Sequence, residues 1–93
     1  MQFEWDPAKN DSNEIKHGIS FLDALAVFDD SHHVIEDITK PEHGEVRHKA
    51  IGNIGSRFFT IIFTDRGANR RIISVRRSRT NERRKYGQGP KRT

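Results

Sequence analysis

Apolar and polar positions in this chain follow two different periods, and the change of period divides it in half. In the first half the spacing is helical. Phe21, Leu25 and Phe28 recur at i, i+4 and i+7 behind Ser20, and Asp23 stands three residues after that Ser, a capping-box-like start. The pattern predicts an amphipathic helix over residues 20 to 28. Upstream, Asp6-Pro7 joins a good N-cap to a residue suited to the first helical position, and Gly18 offers a stop. A first helix over residues 7 to 16 follows. Because Asn10, Asp11, Ser12 and Asn13 are poor helix formers, it must depend on packing. Residues 2 to 5 form an opening strand, and an extended stretch at 34 to 37 leads into a turn at 41 to 44.

From residue 45 the period drops to two. Residues 45 to 54, 57 to 64 and 70 to 77 read as strands, separated by turns at Gly55-Ser56 and Gly67. Strict alternation puts Phe59, Ile61 and Phe63 on one side of the middle strand, with Phe58, Thr60 and Ile62 on the other. The same rule applied to the last strand groups Arg71, Ile73, Val75 and Arg77 against Arg70, Ile72, Ser74 and Arg76. A closing helix spans residues 80 to 86. The predicted fold is α+β, in the order β-α-α-β-β-β-α. It is a small, mainly antiparallel sheet with helices on one face and the other face partly open.

Length adds that the 93 residues make one domain, placed at 1 to 86, with 87 to 93 as a flexible basic tail. Apolar residues make up 32% and charged residues 32%, so the core is marginal and a partner covering part of the surface is expected. With no cysteine, neither a disulfide scaffold nor a thiolate metal site is available. No leader-like segment opens the chain and no apolar run is long enough for a spanning helix, so the expectation is a soluble, cytoplasmic protein without a membrane partner.

Charge changes the picture most. Residues 47 to 93 carry 14 of the 17 Lys and Arg against only Asp65 and Glu82, whereas residues 1 to 46 carry three basic and eleven acidic side chains. The basic half is mostly Arg, which grips phosphate in a planar, bidentate way. Arg66, Arg70, Arg71, Arg76, Arg77, Arg79, Arg83 and Arg84 crowd one stretch, interleaved with Ile72, Ile73 and Val75 that need burial. An Arg-lined open sheet face is therefore the expected site.

Several local motifs then resemble one family. Phe3-Glu4-Trp5-Asp6-Pro7 with Lys9, the run Asn13-Glu14-Ile15-Lys16-His17-Gly18-Ile19-Ser20-Phe21, Gly44-Glu45-Val46-Arg47 with Ile51-Gly52, and Arg71-Ile72-Ile73-Ser74-Val75-Arg76 before Glu82-Arg83 and Tyr86 are similar to the BrnT toxins. The resemblance spans nearly the whole chain. It implies a type II toxin of the RelE-like group of small ribonucleases, which halt translation by cutting RNA. It also implies a BrnA-type antitoxin that neutralises the toxin and, with it, binds operator DNA. Ser31-His32-His33 and Ser78 are the two departures from that pattern.

Metal-free RNA cleavage needs a base for the ribose 2′-hydroxyl, positive donors around the phosphorane and an acid for the departing 5′-oxygen. Arg66 and Arg76 are the expected phosphate clamps, the alternatives being an Arg66–Asp65 ion pair and a solvated strand end. Lys16 and His17 close the first helix, where the dipole favours a cation, and either supply the acid or cap the helix. Glu45 and Arg47, two apart, either act as base and phosphate ligand or form an ion pair, the favoured assignment. Arg71, Arg83 and Tyr86 are further RNA-binding candidates, Tyr86 alternatively packing into the core. His32, His33, His43 and His48 lack the spacing of a metal site, and no cofactor is called for. Two other functions fit the basic half: a non-catalytic nucleic-acid-binding module, and a protein-interaction module without nuclease activity.

Overall fold

A computed structural model describes residues 1–88; the tail segment 89–93 lies outside the described residues. The elements are β1 (Gln2–Trp5), α1 (Pro7–His17), α2 (Phe21–Ala24), β2 (Val34–Asp37), β3 (His48–Ile54), β4 (Arg57–Arg66), β5 (Asn69–Arg77) and α3 (Thr80–Gln88). Short 3-10 turns cover Leu25–Asp29 and Pro41–His43. The expected order thus gains a strand, because Val34–Asp37 pairs along β3. The five strands form one sheet in the order β1-β5-β4-β3-β2. All neighbours are antiparallel except β1 and β5, which run parallel.

The local signals act as their chemistry requires. The Ala8 N–H donates to Asp6 Oδ1 at 2.9 Å, and Gly18, in the left-handed conformation at φ 73°, closes α1 by donating to the Glu14 carbonyl. Ser20 caps α2 by accepting from the Asp23 N–H at 3.1 Å. The expected helix over residues 20 to 28 departs from this: after one α-turn it tightens to a 3-10 turn at Leu25. That geometry drops Val27 onto β3 where Gly52 leaves room.

The core lies between the sheet and the segment 19 to 28. Phe21, Ala24 and Val27 pack on Ala50, Phe59, Ile61, Phe63, Ile72 and Val75, with Phe3, Trp5, Leu25 and Phe28 at its border. A Cβ on Gly52 would sit 2.8 Å from Val27 Cγ1 and 3.0 Å from the Val27 carbonyl oxygen. Gly52→Ala is therefore expected to cost about 1–3 kcal/mol through overpacking. A thermal midpoint equal to the parent's would show that this contact is not tight.

Helix α1 docks by polar means. Ile15 on α1 is exposed, while Asn13 is buried, donating to the Ile19 carbonyl at 3.3 Å and accepting from the Val75 N–H at 3.0 Å. Asn10 accepts from the Phe21 N–H at 2.8 Å. Two of the poor helix formers of α1 thus fasten it, Asn13 to β5 and Asn10 to the start of α2.

Two features of the sheet differ from strict alternation. Between Ile62 and Phe63 the β4–β5 register slips, so Ile62 faces Ser74, Phe63 faces Ile72, and Ile73 is the extra residue of a β-bulge. Ile72 and Val75 consequently both enter the core. Arg70 and Arg77 join them on that face, Arg70 lying over the rings of Phe63 and Phe28 at 4.2 and 5.0 Å, and Arg77 over Phe59 at 5.7 Å. Arg71, Ser74 and Arg76 take the outer face. The helices are also split: α3 packs on the outer face, where Phe58 meets Tyr86 at 4.9 Å between ring centroids. Helices on one face only is thus corrected, because β3 and β4 leave Ile51, Phe58 and Thr60 on the far side in need of cover.

Candidate functional site

The outer face is organised around a carboxylate that sequence reasoning passed over. Glu82, at the start of α3, is 1% exposed yet charged. Arg76 grips it bidentately, Nη1 to Oε1 at 2.7 Å and Nη2 to Oε2 at 2.8 Å. The Arg79 N–H, Thr60 Oγ1 and Lys49 Nζ donate to the same carboxylate at 2.8, 3.0 and 3.1 Å. Burial alone would raise its pKa, but these donors prevail and hold it far below the ordinary 4.5. Beyond Lys49 the pairs continue through Glu36 to Lys85 at 2.8 Å, a row of alternating charges that fastens α3 to the sheet. Thr60 also bonds the Ser78 hydroxyl at 2.8 Å, which ties one of the two departures from the BrnT pattern into this network. Arg76, expected as a free phosphate clamp, has its fork occupied here.

Arg66 and Arg71 are placed differently. Arg66 ends β4 and directs Nη2 to Glu45 Oε1 at 3.2 Å, while Arg47 Nε reaches Glu45 Oε2 at 3.3 Å. Asp65 is taken by Arg70, at 2.8 and 3.1 Å, and not by Arg66. The Arg66 hydrogen bond comes first among the influences that hold Glu45 below the usual carboxylate range. Glu45 and Arg47 do pair, but in a loop before β3 rather than in a strand. Thr39 closes that loop by accepting from the Arg47 N–H at 2.9 Å. Arg71 donates Nη1 to Glu4 Oε2 at 3.1 Å, and Asn69 donates to Glu4 Oε1 at 3.0 Å. Arg71 lowers the Glu4 pKa, with a smaller contribution from Arg66. Arg71 pairs with Thr64 and Arg66 with Asn69, so Arg66 and Arg71 are diagonal neighbours on the outer face. Each gives a single hydrogen bond to a carboxylate, and their side chains are 53% and 31% exposed. They are less fully engaged than Arg76, both of whose terminal nitrogens are taken up by Glu82.

Lys16 and His17 lie apart from that pair, in the last turn of α1. They line an open cavity of about 320 Å³ with Lys9, Ser12, Asn13, Ile73 and Ser74. The bulge creates its β5 wall, and at Ser74 the cavity meets the outer face. Arg83 is exposed on α3. Tyr86 is packed and bonded: its hydroxyl donates to Asp30 Oδ2 at 2.8 Å, and burial, then Asp30, pushes its pKa up. The histidines serve local structure. His33 bonds the Asp30 carbonyl, His43 caps its 3-10 turn by accepting from the Lys40 N–H, and His48 stacks on Phe63.

A family model described as the ribonuclease toxin, BrnT, of type II toxin-antitoxin systems matches residues 5–82. The chain belongs to the BrnT family. No individual curated protein matches it. Membership makes this a ribonuclease toxin of a type II pair, with RNA as substrate and an antitoxin as partner. Among the described residues no helix is long and apolar enough to cross a membrane. The BrnT match takes in Lys9, Lys16, His17, Glu45, Arg47, Arg66, Arg71, Arg76 and Glu82, and ends before Arg83 and Tyr86. Two signals for the overlooked residues stood in the sequence. Glu82 is one of only two acids after residue 46, and Lys9, Ser12, Asn13 and Lys16 recur at one-face helical spacing.

Proposed function

We propose that this BrnT chain is a metal-independent endoribonuclease of the RelE-like group, which inhibits translation in the cytoplasm by transesterification of RNA. Arg66 and Arg71 hold the scissile phosphate and stabilise the charge that develops on its oxygens as the 2′-oxygen attacks phosphorus. Glu45, kept ionised by Arg66 and Arg47, orients both guanidinium groups and is the acceptor in reach for the 2′-hydroxyl proton. Lys16 and His17, in the last turn of α1 beside Ser74 rather than beside Arg66, are the groups assigned to protonate the departing 5′-oxygen, which requires the RNA to extend from the Arg pair to α1. Arg76 acts from behind, by seating α3 through Glu82. A BrnA-type antitoxin covers this face, and the complex, rather than the toxin alone, binds operator DNA.

The observation that carries the proposal is the pairing pattern on the outer face. Arg66 and Arg71, diagonal neighbours on adjacent strands, each spend one hydrogen bond on a carboxylate and keep partly exposed side chains, an arrangement that suits a phosphate site. Incubating the purified, antitoxin-free protein with total RNA in a metal chelator tests it. The expected products carry 2′,3′-cyclic phosphate ends; RNA bound but left intact would overturn the catalytic assignment in favour of a binding module.

A further inference from the structure

Most cations of the sheet and of α3's inner face meet a carboxylate: Arg66, Arg70, Arg71, Arg76, Lys49 and Lys85 are all paired. The cations of the α1 cavity are not. Neither Lys9 nor Lys16 has an ion-pair partner among the described residues, although the first half of the chain holds eleven acids. The two unpaired lysines line a concave space that also presents the hydroxyl-bearing Ser12 and Ser74, the imidazole of His17 and the apolar Ile73. Concentrated positive charge without a counter-charge, in a cavity with hydrogen-bond donors, is the electrostatic form of an anion site.

We infer that the cavity between α1 and β5 is a subsite for one nucleotide of single-stranded RNA flanking the cut, its phosphate held by Lys9 and Ser12. The inference rests on the proposal that RNA is the substrate handled at the outer face. Three observations favour a nucleotide over a lone ion or a segment of acidic protein. Lys9 and Lys16 are seven residues apart, about 10 Å along the helix axis, so they bracket something longer than a single phosphate. The volume of about 320 Å³ matches one small-molecule-sized unit, whereas a docked helix or strand needs an extended groove. Ile73 adds an apolar wall on which the planar face of a base can rest, and Ser74 lies three residues along β5 from Arg71 on the same outer face.

The test measures binding of the full-length protein to a fluorescent 2′-O-methyl RNA hexamer, which lacks the attacking hydroxyl and cannot be cut. Lys9→Ala is the variant, because Lys9 is exposed and outside the proposed catalytic set. Lys40→Ala, an exposed lysine beside the Pro41–His43 turn, is the matched loss of charge. Lys9→Ala is expected to raise Kd roughly three- to tenfold and to flatten the salt dependence by about 0.7 in log-log slope, with Lys40→Ala near the parent in both. Equal effects of the two variants would reduce the cavity to general charge and overturn the subsite. So would a Lys9→Ala protein that binds this RNA normally but loses affinity for the antitoxin, since the cavity would then hold an acidic protein segment. The chelator assay separates this outcome from the catalytic one: intact RNA with Lys9-dependent binding sinks the nuclease mechanism and leaves the subsite standing.

Discussion

Glu82→Gln is expected to lower folding stability by about 3–5 kcal/mol, the cost of removing one partner from a buried ion pair. The substitution keeps the shape and deletes the charge. Arg76 and Lys49, whose side chains are only 21% and 13% exposed, would then face a neutral amide, and α3 would lose its anchor on β3 and β4. At about 4–8 °C per kcal/mol for a domain of this size, the thermal midpoint should fall by more than about 10 °C. The acid limb of the stability curve gives a second readout. The folded pKa of Glu82 lies below its unfolded value, so the unfolded chain binds more protons in acid. The contribution is fully present above about pH 4.5, the ordinary carboxylate value, and is withdrawn as pH falls below it. Glu82→Gln should therefore lose both stability at neutral pH and part of the parent's slope in acid. A midpoint within a degree or two of the parent's would mean that α3 is held by Tyr86 and Phe58 rather than by this network.

Arg66→Ala should act on chemistry and not on the fold. Loss of one preorganised donor to developing phosphorane charge is worth about 2–4 kcal/mol, or roughly 30- to 1,000-fold in kcat/KM for RNA cleavage. Its partner Glu45 lies in a solvent-accessible loop, so thermal unfolding should shift little, while the Glu45 pKa should rise toward the ordinary range once its first influence is gone. Arg76→Ala provides the contrast. It should lose activity chiefly by exposing the Glu82 charge, with a large drop in midpoint that Arg66→Ala does not share. Undiminished cleavage by folded Arg66→Ala protein would remove Arg66 from the site and shift the phosphate to Arg71.

The architecture was legible because its signals are local. Asp6-Pro7 and Gly18 bound α1, Ser20 opens α2, and the alternation of Phe59, Ile61 and Phe63 marks the buried face of β4. Each depends on residues within one turn or one pleat of each other. The β5 assignment failed at one position for a comparable reason. Alternation presumes unbroken pairing, and the bulge at Ile73 appears only when β5 is laid against β4. Until then Ile72 and Val75, three apart, cannot share a face.

The site was less legible, since its partners are distant in sequence. Charge and composition alone marked residues 66 to 84 as a phosphate-binding region and named Arg66, Arg71 and Arg76. They could not rank the three, because the ranking depends on which carboxylate each meets. Glu45 meets Arg66 across 21 residues, Glu82 meets Lys49 across 33, and Glu4 meets Arg71 across 67. The sequence by itself determined a basic, strand-rich second half, for which short-range periodicity and residue chemistry suffice, and carried the motifs by which the chain resembles the BrnT toxins. Only the tertiary structure decided that Arg76 is spent on a buried Glu82, that Arg66 and Arg71 each meet a carboxylate through a single hydrogen bond, and that Lys9 and Lys16 line a cavity without an ion-pair partner among the described residues. An ionic group's availability depends on what long-range folding sets beside it, and no local pattern carries that.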